Sequence, residues 1–179
     1  MKRHELEHII RAATRIANEY ELVVLGSQSI LGAFPHAAQE LLVSMEADVY
    51  PLGAEEKADL IDGAIGEGSQ FHETHGFYAQ GVDSSTAILP TGWEQRLVRI
   101  QNANTEGRTG FCLDPTDLFM AKSAAAREKD RLFNIALLAH GYVTLEDALR
   151  RVADMPVSAA RQKRIEAFIL RVAAQVKSP

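Results

Sequence analysis

Hydrophobic positions near the start of the chain recur at helical spacing. Leu6, Ile9, Ile10, Ala13, Ile16, Ala17 and Tyr20 follow the i, i+3, i+4, i+7 pattern, which predicts a helix with one buried stripe. Leu22-Val23-Val24-Leu25 is a short continuous apolar run rich in β-formers and reads as a fully buried strand, ended by Gly26-Ser27. A short helix is expected from Gln28 to about Gly32, broken by Pro35. From Ser44 to Tyr50 the pattern alternates, with Met45, Ala47 and Val49 on one side and Glu46, Asp48 and Tyr50 on the other. That is a half-buried strand, closed by Pro51.

Residues 55–66 read as a helix and residues 66–69 as a loop. Strand-like runs follow at residues 76–82, 86–89 and 96–100, with turn residues between them, so two or three antiparallel strands are expected. Asn102 to Gly110 is polar and reads as an exposed loop, and Phe111-Cys112-Leu113 as a last short strand. A long helix is predicted from about Thr116 to Ala139, stopped by Gly141. Thr144 starts another in capping-box fashion, Pro156 ends it, and Ser158 caps a last helix with a stripe of Ile165, Phe168, Ile169, Val172 and Val176. Strands first and helices later predict an α+β fold: a mixed-sheet core over residues 1–114 with an N-terminal helix, and a C-terminal helical bundle over residues 115–179 packed on it.

With 46% hydrophobic residues a full core can be buried without staples. Cys112 is the only cysteine, which excludes an internal disulfide framework and a Cys-rich zinc site. Residues 1–8 are charged and carry no apolar signal region, and no apolar run is long enough to span a bilayer. A cytoplasmic protein with no membrane partner is expected. Charge is unevenly spread: residues 1–90 hold 5 Lys/Arg against 14 Asp/Glu, residues 91–179 hold 14 against 10. The back half is thus the place to look for an anionic partner.

Three features bear on chemistry. Gly26-Ser27 follows a buried strand and precedes a helix start, a backbone arrangement that suits a phosphate. Glu46 and Asp48, alternate on one strand, present two carboxylates on one face. Such a pair repels itself unless a cation or proton lies between, and Mg²⁺ is the natural partner. Lys122 and Asp130 are eight residues apart on the expected helix, close to two turns, so they share a side. Lys122 there suits a triphosphate, while Arg127 points elsewhere by helical phase. Each feature alone has an ordinary structural reading, as a turn, a solvated strand face or a surface salt bridge.

In this order they resemble the minimal nucleotidyltransferase superfamily, the DNA-polymerase-β-like fold. Val24-Leu25-Gly26-Ser27 and the Glu46-Ala47-Asp48 strand match its signature. Lys122 and Arg127 to Asp130 are similar to a helix element of the branch holding abortive-infection toxins. Residues 26–35 and 89–98 resemble a bacterial domain family in that superfamily. The resemblance spans roughly residues 20–135. It implies that Glu46 and Asp48 bind Mg²⁺ and nucleotide, that Gly26 and Ser27 hold phosphate, and that Lys122 and Asp130 complete a catalytic set. The reaction would pass a nucleotidyl group from a nucleoside triphosphate to an RNA or protein acceptor, as in a toxin of a toxin–antitoxin pair. The chain departs from the pattern in three ways. The gap from Ser27 to Glu46 is long, the first acid is Glu, and the expected third strand, Thr86 to Leu89, carries no carboxylate. Asp83 precedes that strand, and Asp130 is the toxin-like substitute.

His72-Glu73-Thr74-His75 lacks the spacing of a zinc helix, and Trp93 reads as a packing anchor or a base-stacking platform. Basic residues of the last helices (Arg150, Arg151, Arg161, Lys163, Arg164, Arg171) form an expected seat for an anionic acceptor. The rival readings are a catalytically inert binding, antitoxin or regulatory protein of the same fold, and an obligate oligomer whose helices make an interface.

Overall fold

The first helix, α1 (Arg3–Ile16), buries Leu6, Ile9, Ile10 and Ala13 completely. Tyr20, placed on the same stripe by its spacing, lies beyond the helix end and is exposed, with the Arg108 guanidinium over its ring. The computed structural model describes residues 1–176. Their contacts form two units. The first comprises Met1–Thr86 and Leu97–Leu113, and the second joins Ala87–Arg96 to the chain from Asp114 onward.

The first unit is an α/β layer. Its strands are β1 (Glu21–Val24), β2 (Glu46–Pro51), β3 (Tyr78–Gly81), β4 (Val98–Ile100) and β5 (Thr109–Cys112), in sheet order β3-β2-β1-β5-β4. β1 runs antiparallel to β2 and parallel to β5; β2 and β3 are parallel; β4 and β5 are antiparallel. The mixed sheet agrees with expectation, but its strand order does not follow the expected hairpins. β3 and β4 occupy opposite edges, and residues 86–89 form no strand. There Asp83 accepts hydrogen bonds from Ser85 N and Oγ, and a 3₁₀ turn over Ser84–Thr86 replaces ladder pairing.

One sheet face is closed by α1 and by α3 (Ala58–Ile65). A Cβ on Gly110 would meet Ile10 Cδ1 at 2.4 Å, and one on Gly81 would meet the Ala58 carbonyl at 2.2 Å. The register puts Leu22, Val24, Ala47, Val49 and Ala79 on that side. By strand alternation Glu46, Asp48, Tyr78 and Gln80 point to the other. Between β1 and β2 runs a 3₁₀ turn, Ser27–Ser29, then the single-turn α2 (Ile30–Ala33). A helix absent from the sequence reading, α4 (Gln70–His75), is capped by Ser69, whose side chain accepts from His72 N.

The second unit holds α5 (Pro115–Ala125), α6 (Glu128–Ala139), α7 (Leu145–Arg151) and α8 (Ala159–Ala173). Its buried residues include Leu118, Phe119, Met120, Leu137, Ala148, Ile165, Ile169 and Val172. Caps at Thr144 and Ser158 lie where the sequence puts them. The long helix expected over residues 116–139 is two helices. Ala126 takes a left-handed conformation (φ 52°), and Asp130 caps the restart by accepting from Arg127 N. Among the described residues no helix is long and apolar enough to cross a membrane.

Candidate functional site

Gly26, two residues beyond β1 and just before the Ser27–Ser29 turn, has φ 62° and ψ −166°, a backbone region essentially confined to glycine. The reason lies across the ladder. Leu25 N donates to the Asp48 carbonyl (2.8 Å), which draws β1 and β2 together at this point. A Cβ on Gly26 would then sit 1.8 Å from Asp48 Oδ2 and 2.9 Å from its Cγ. The missing side chain at position 26 is therefore what admits the Asp48 carboxylate. Gly26, Ser27 and Asp48 are brought together by the strand pair itself.

Glu46, two residues earlier on the same face, is half-buried like Asp48. Its Oε2 accepts a hydrogen bond from the Tyr78 hydroxyl (3.2 Å), the β3 residue in register with it. Burial, then the charge and hydrogen bond of Glu46, push the Tyr78 phenol up to about 12, and Glu67 and Asp48 add to the effect. Three carboxylates thus bear on one phenol, and the face is strongly negative. Tyr78 stays protonated and fixes Glu46. The His72 ring lies 4.6 Å from the Tyr78 ring, with its Nδ1 accepting from Gly68 N. His75 turns instead to His8, Phe71 and Phe77. The two histidines therefore serve different neighbours.

Gln28, in the turn after Ser27, is fully buried, and neither of its amide atoms has a hydrogen-bond partner. A buried amide with both ends unmet is costly and marks a place where polar company is wanted. Sequence inspection misses Tyr78 and Gln28. Tyr78 becomes visible only once the β2–β3 register is known, whereas Gln28 is flagged in sequence only by lying between Ser27 and Ser29.

Two expectations for this region need correction. The helix after Ser27 is a 3₁₀ turn followed by one α-turn, too short to lend a useful dipole to a phosphate. The open side of Gly26 is filled by Asp48 and is not left for a ligand. Asp83 stands beyond the far end of β3, beside Glu55, Glu56 and Asp59 in a separate cleft. Among the described residues no group of three or more His, Cys, Asp or Glu is placed to hold a metal ion. The donor set of Glu46 and Asp48 still fits Mg²⁺ as it is usually bound beside phosphate, with one or two carboxylates and the rest of its shell from phosphate and water.

Lys122 and Asp130 lie in the second unit. They meet across the α5–α6 corner rather than along one helix, with Lys122 Nζ 3.5 Å from Asp130 Oδ1 and 4.3 Å from the Phe133 ring centre. Arg127, which helical phase turned away, is held to the same carboxylate by its Nε at 2.7 Å. Burial works to raise the Asp130 carboxyl, but the Arg127 hydrogen bond and the charges of Lys122 and Arg127 outweigh it and leave it below the ordinary range. Asp130 is fully buried and ionised between two cations.

The basic residues of the last helices divide. Arg150 pairs with Glu146 and Asp147, and Arg151 with Asp117 and Asp154. Arg161, Arg164 and Arg171 line a groove between α8 and the end of α5. Trp93 lies in a 3₁₀ turn, Trp93–Arg96, that belongs to the second unit. No protein-family model, no curated protein and no solved structure matches the chain.

Proposed function

We propose that the first unit binds a nucleoside triphosphate through Mg²⁺ at Glu46 and Asp48, and that the protein transfers the nucleotidyl group to a hydroxyl of an RNA or protein acceptor. The observation that carries this is the seating of Asp48 against Gly26. A backbone conformation open only to glycine is maintained so that a carboxylate can stand at the strand end, beside a second carboxylate fixed by Tyr78. Two carboxylates placed side by side in this way suit a divalent cation.

A bound divalent ion would neutralise phosphate charge and orient the α-phosphate. The protein's own part is positional. Tyr78 holds Glu46 in place through its hydroxyl, Gly26 lets Asp48 approach the turn, and Ser27 borders the place where phosphates would lie. Attack of the acceptor oxygen forms one P–O bond, breaks the bond to the β-phosphate, and releases pyrophosphate and the hydroxyl proton. Lys122 and Asp130 belong to the other unit, and nothing in this scheme depends on them.

One observation favours a second reading. No third His, Cys, Asp or Glu is placed with Glu46 and Asp48 to complete a metal-holding group among the described residues, which suits a nucleotide-binding regulatory or antitoxin-like protein that transfers nothing. Incubation with nucleoside triphosphates radiolabelled at the α-phosphate, RNA or protein acceptors and Mg²⁺ separates the two. Label transferred by the wild type and lost in Asp48→Asn supports transfer; Mg²⁺-dependent binding without transfer supports the regulator.

A further inference from the structure

The second unit has eight arginines, and their partners sort them. Arg96 pairs with Asp117, Arg127 with Asp130, Arg131 with Glu128, Arg150 with Glu146, and Arg151 with Asp117. The other three, Arg161, Arg164 and Arg171, have no carboxylate in ion-pair range among the described residues. All three are exposed, and all three line one groove of 520 Å³. Like charges gathered without counter-charge repel, so the grouping calls for an anion.

The shape of the array narrows the anion. At 3.6 residues per turn, positions 161, 164 and 171 fall on one side of α8 and span about 15 Å along its axis. One phosphate or carboxylate cannot reach all three. At about 3.4 Å per nucleotide, roughly four phosphates of a stacked strand would cover that length. The floor offers little else. It is made of alanines, Ile165 and Phe168, and the one hydroxyl, Ser123, already donates to the Phe119 carbonyl. A peptide would find few donors or acceptors for its amides there. A uniform phosphate backbone needs only the guanidinium forks. The groove lies between α8 and the end of α5, and its volume is on the scale of a small-molecule pocket, which suits one strand better than a duplex.

We propose that this groove binds the phosphate backbone of a single-stranded polynucleotide without regard to sequence. The site is independent of the carboxylates of the first unit and needs neither Mg²⁺ nor nucleotide. It also narrows the basic seat read from the sequence, because Arg150 and Arg151 are occupied by their own acids.

The test is fluorescence anisotropy of the full chain with a labelled oligouridylate at rising salt, without Mg²⁺ or nucleotide. The variant Arg161→Gln/Arg164→Gln/Arg171→Gln changes only exposed side chains, and an unchanged melting curve confirms its fold. Arg150→Gln serves as the control. Each phosphate contact contributes about 0.7 to the log–log salt slope for a single strand, so the triple variant should lose about 2 from the slope and bind at least tenfold more weakly at low salt. The control should match the wild type. An oligothymidylate bound equally well also supports backbone recognition. Wild-type protein that does not bind, or a triple variant with the wild-type affinity and slope, overturns the proposal. Tighter binding of a duplex or of oligoglutamate overturns it as well, by assigning the groove to another partner.

Discussion

The Asp48 carboxylate occupies the space that a side chain at position 26 would need, with Oδ2 1.8 Å from where its Cβ would stand. Gly26→Ala must therefore both strain a left-handed backbone and displace Asp48. We expect a loss of about 3 kcal/mol, from a strained φ/ψ of about 1–3 kcal/mol and overpacking of similar size. Pairing it with Asp48→Ala should recover part of that loss, because the clash then has no second party. Urea denaturation of the four members of the cycle measures the coupling. Strict additivity would show that the two residues do not meet.

In the second unit, Asp130→Asn leaves Lys122 and Arg127 without their shared carboxylate. Breaking a buried ion pair from one side costs about 3–5 kcal/mol, and the partial exposure of Arg127 puts the expectation at the lower end. The pH sign follows from the lowered Asp130 carboxyl. Its contribution is present above the unfolded value of about 3.9 and is lost as pH falls through the folded one. The variant should be less stable near neutrality and lose less on acidification. Denaturant midpoints across the acid range read both effects.

Much of the fold is legible in the sequence because it is local. The α1 stripe, the alternation in β2 and the caps at Thr144 and Ser158 need no knowledge of distant partners. What escapes depends on such partners. Residues 86–89 have strand-like composition, yet Asp83 and Ser85 satisfy the preceding backbone and no neighbouring strand takes them up. The α5–α6 break is hidden because Ser-Ala-Ala-Ala-Arg is good helix sequence, and only the buried Asp130 reveals why the chain restarts. At the site, Gly26-Ser27 and Glu46-x-Asp48 stand out by spacing. Tyr78 does not, since nothing local says that β3 pairs with β2 in parallel.

Asp117 is fully buried between Arg96 and Arg151, both within the second unit. Burial pushes its carboxyl up even though Arg96 hydrogen-bonds to it and both arginines attract it. Desolvation thus outweighs the two arginines, and losing one of them leaves the buried carboxylate less compensated still. Arg96→Met is expected to destabilise by about 3 kcal/mol. Asp117→Asn in the same background should return part of it by removing the stranded charge. Thermal melts of the single and double variants decide the point.

His8 packs edge-on against Phe71, His75 and Phe77. Burial, with the charges of Arg11 and His75 adding, lowers its pKa. The fold therefore favours neutral His8. Stability is full above the unfolded value of about 6.5 and declines as pH falls through the folded one. His8→Phe should flatten the stability profile on the acid side of neutrality. An equally steep profile in the variant would assign that dependence to another group.

The most direct measurement is a thermal titration of the full chain with each nucleoside triphosphate, with and without Mg²⁺, in wild type and Asp48→Asn. Binding to the native state alone stabilises by about 2.7 kcal/mol at a hundredfold excess over the dissociation constant. A nucleotide-induced rise in melting temperature that requires Mg²⁺ and vanishes in Asp48→Asn is the predicted result. No rise with any nucleotide, or a rise that survives in Asp48→Asn, would contradict the placement of metal and nucleotide at Glu46 and Asp48.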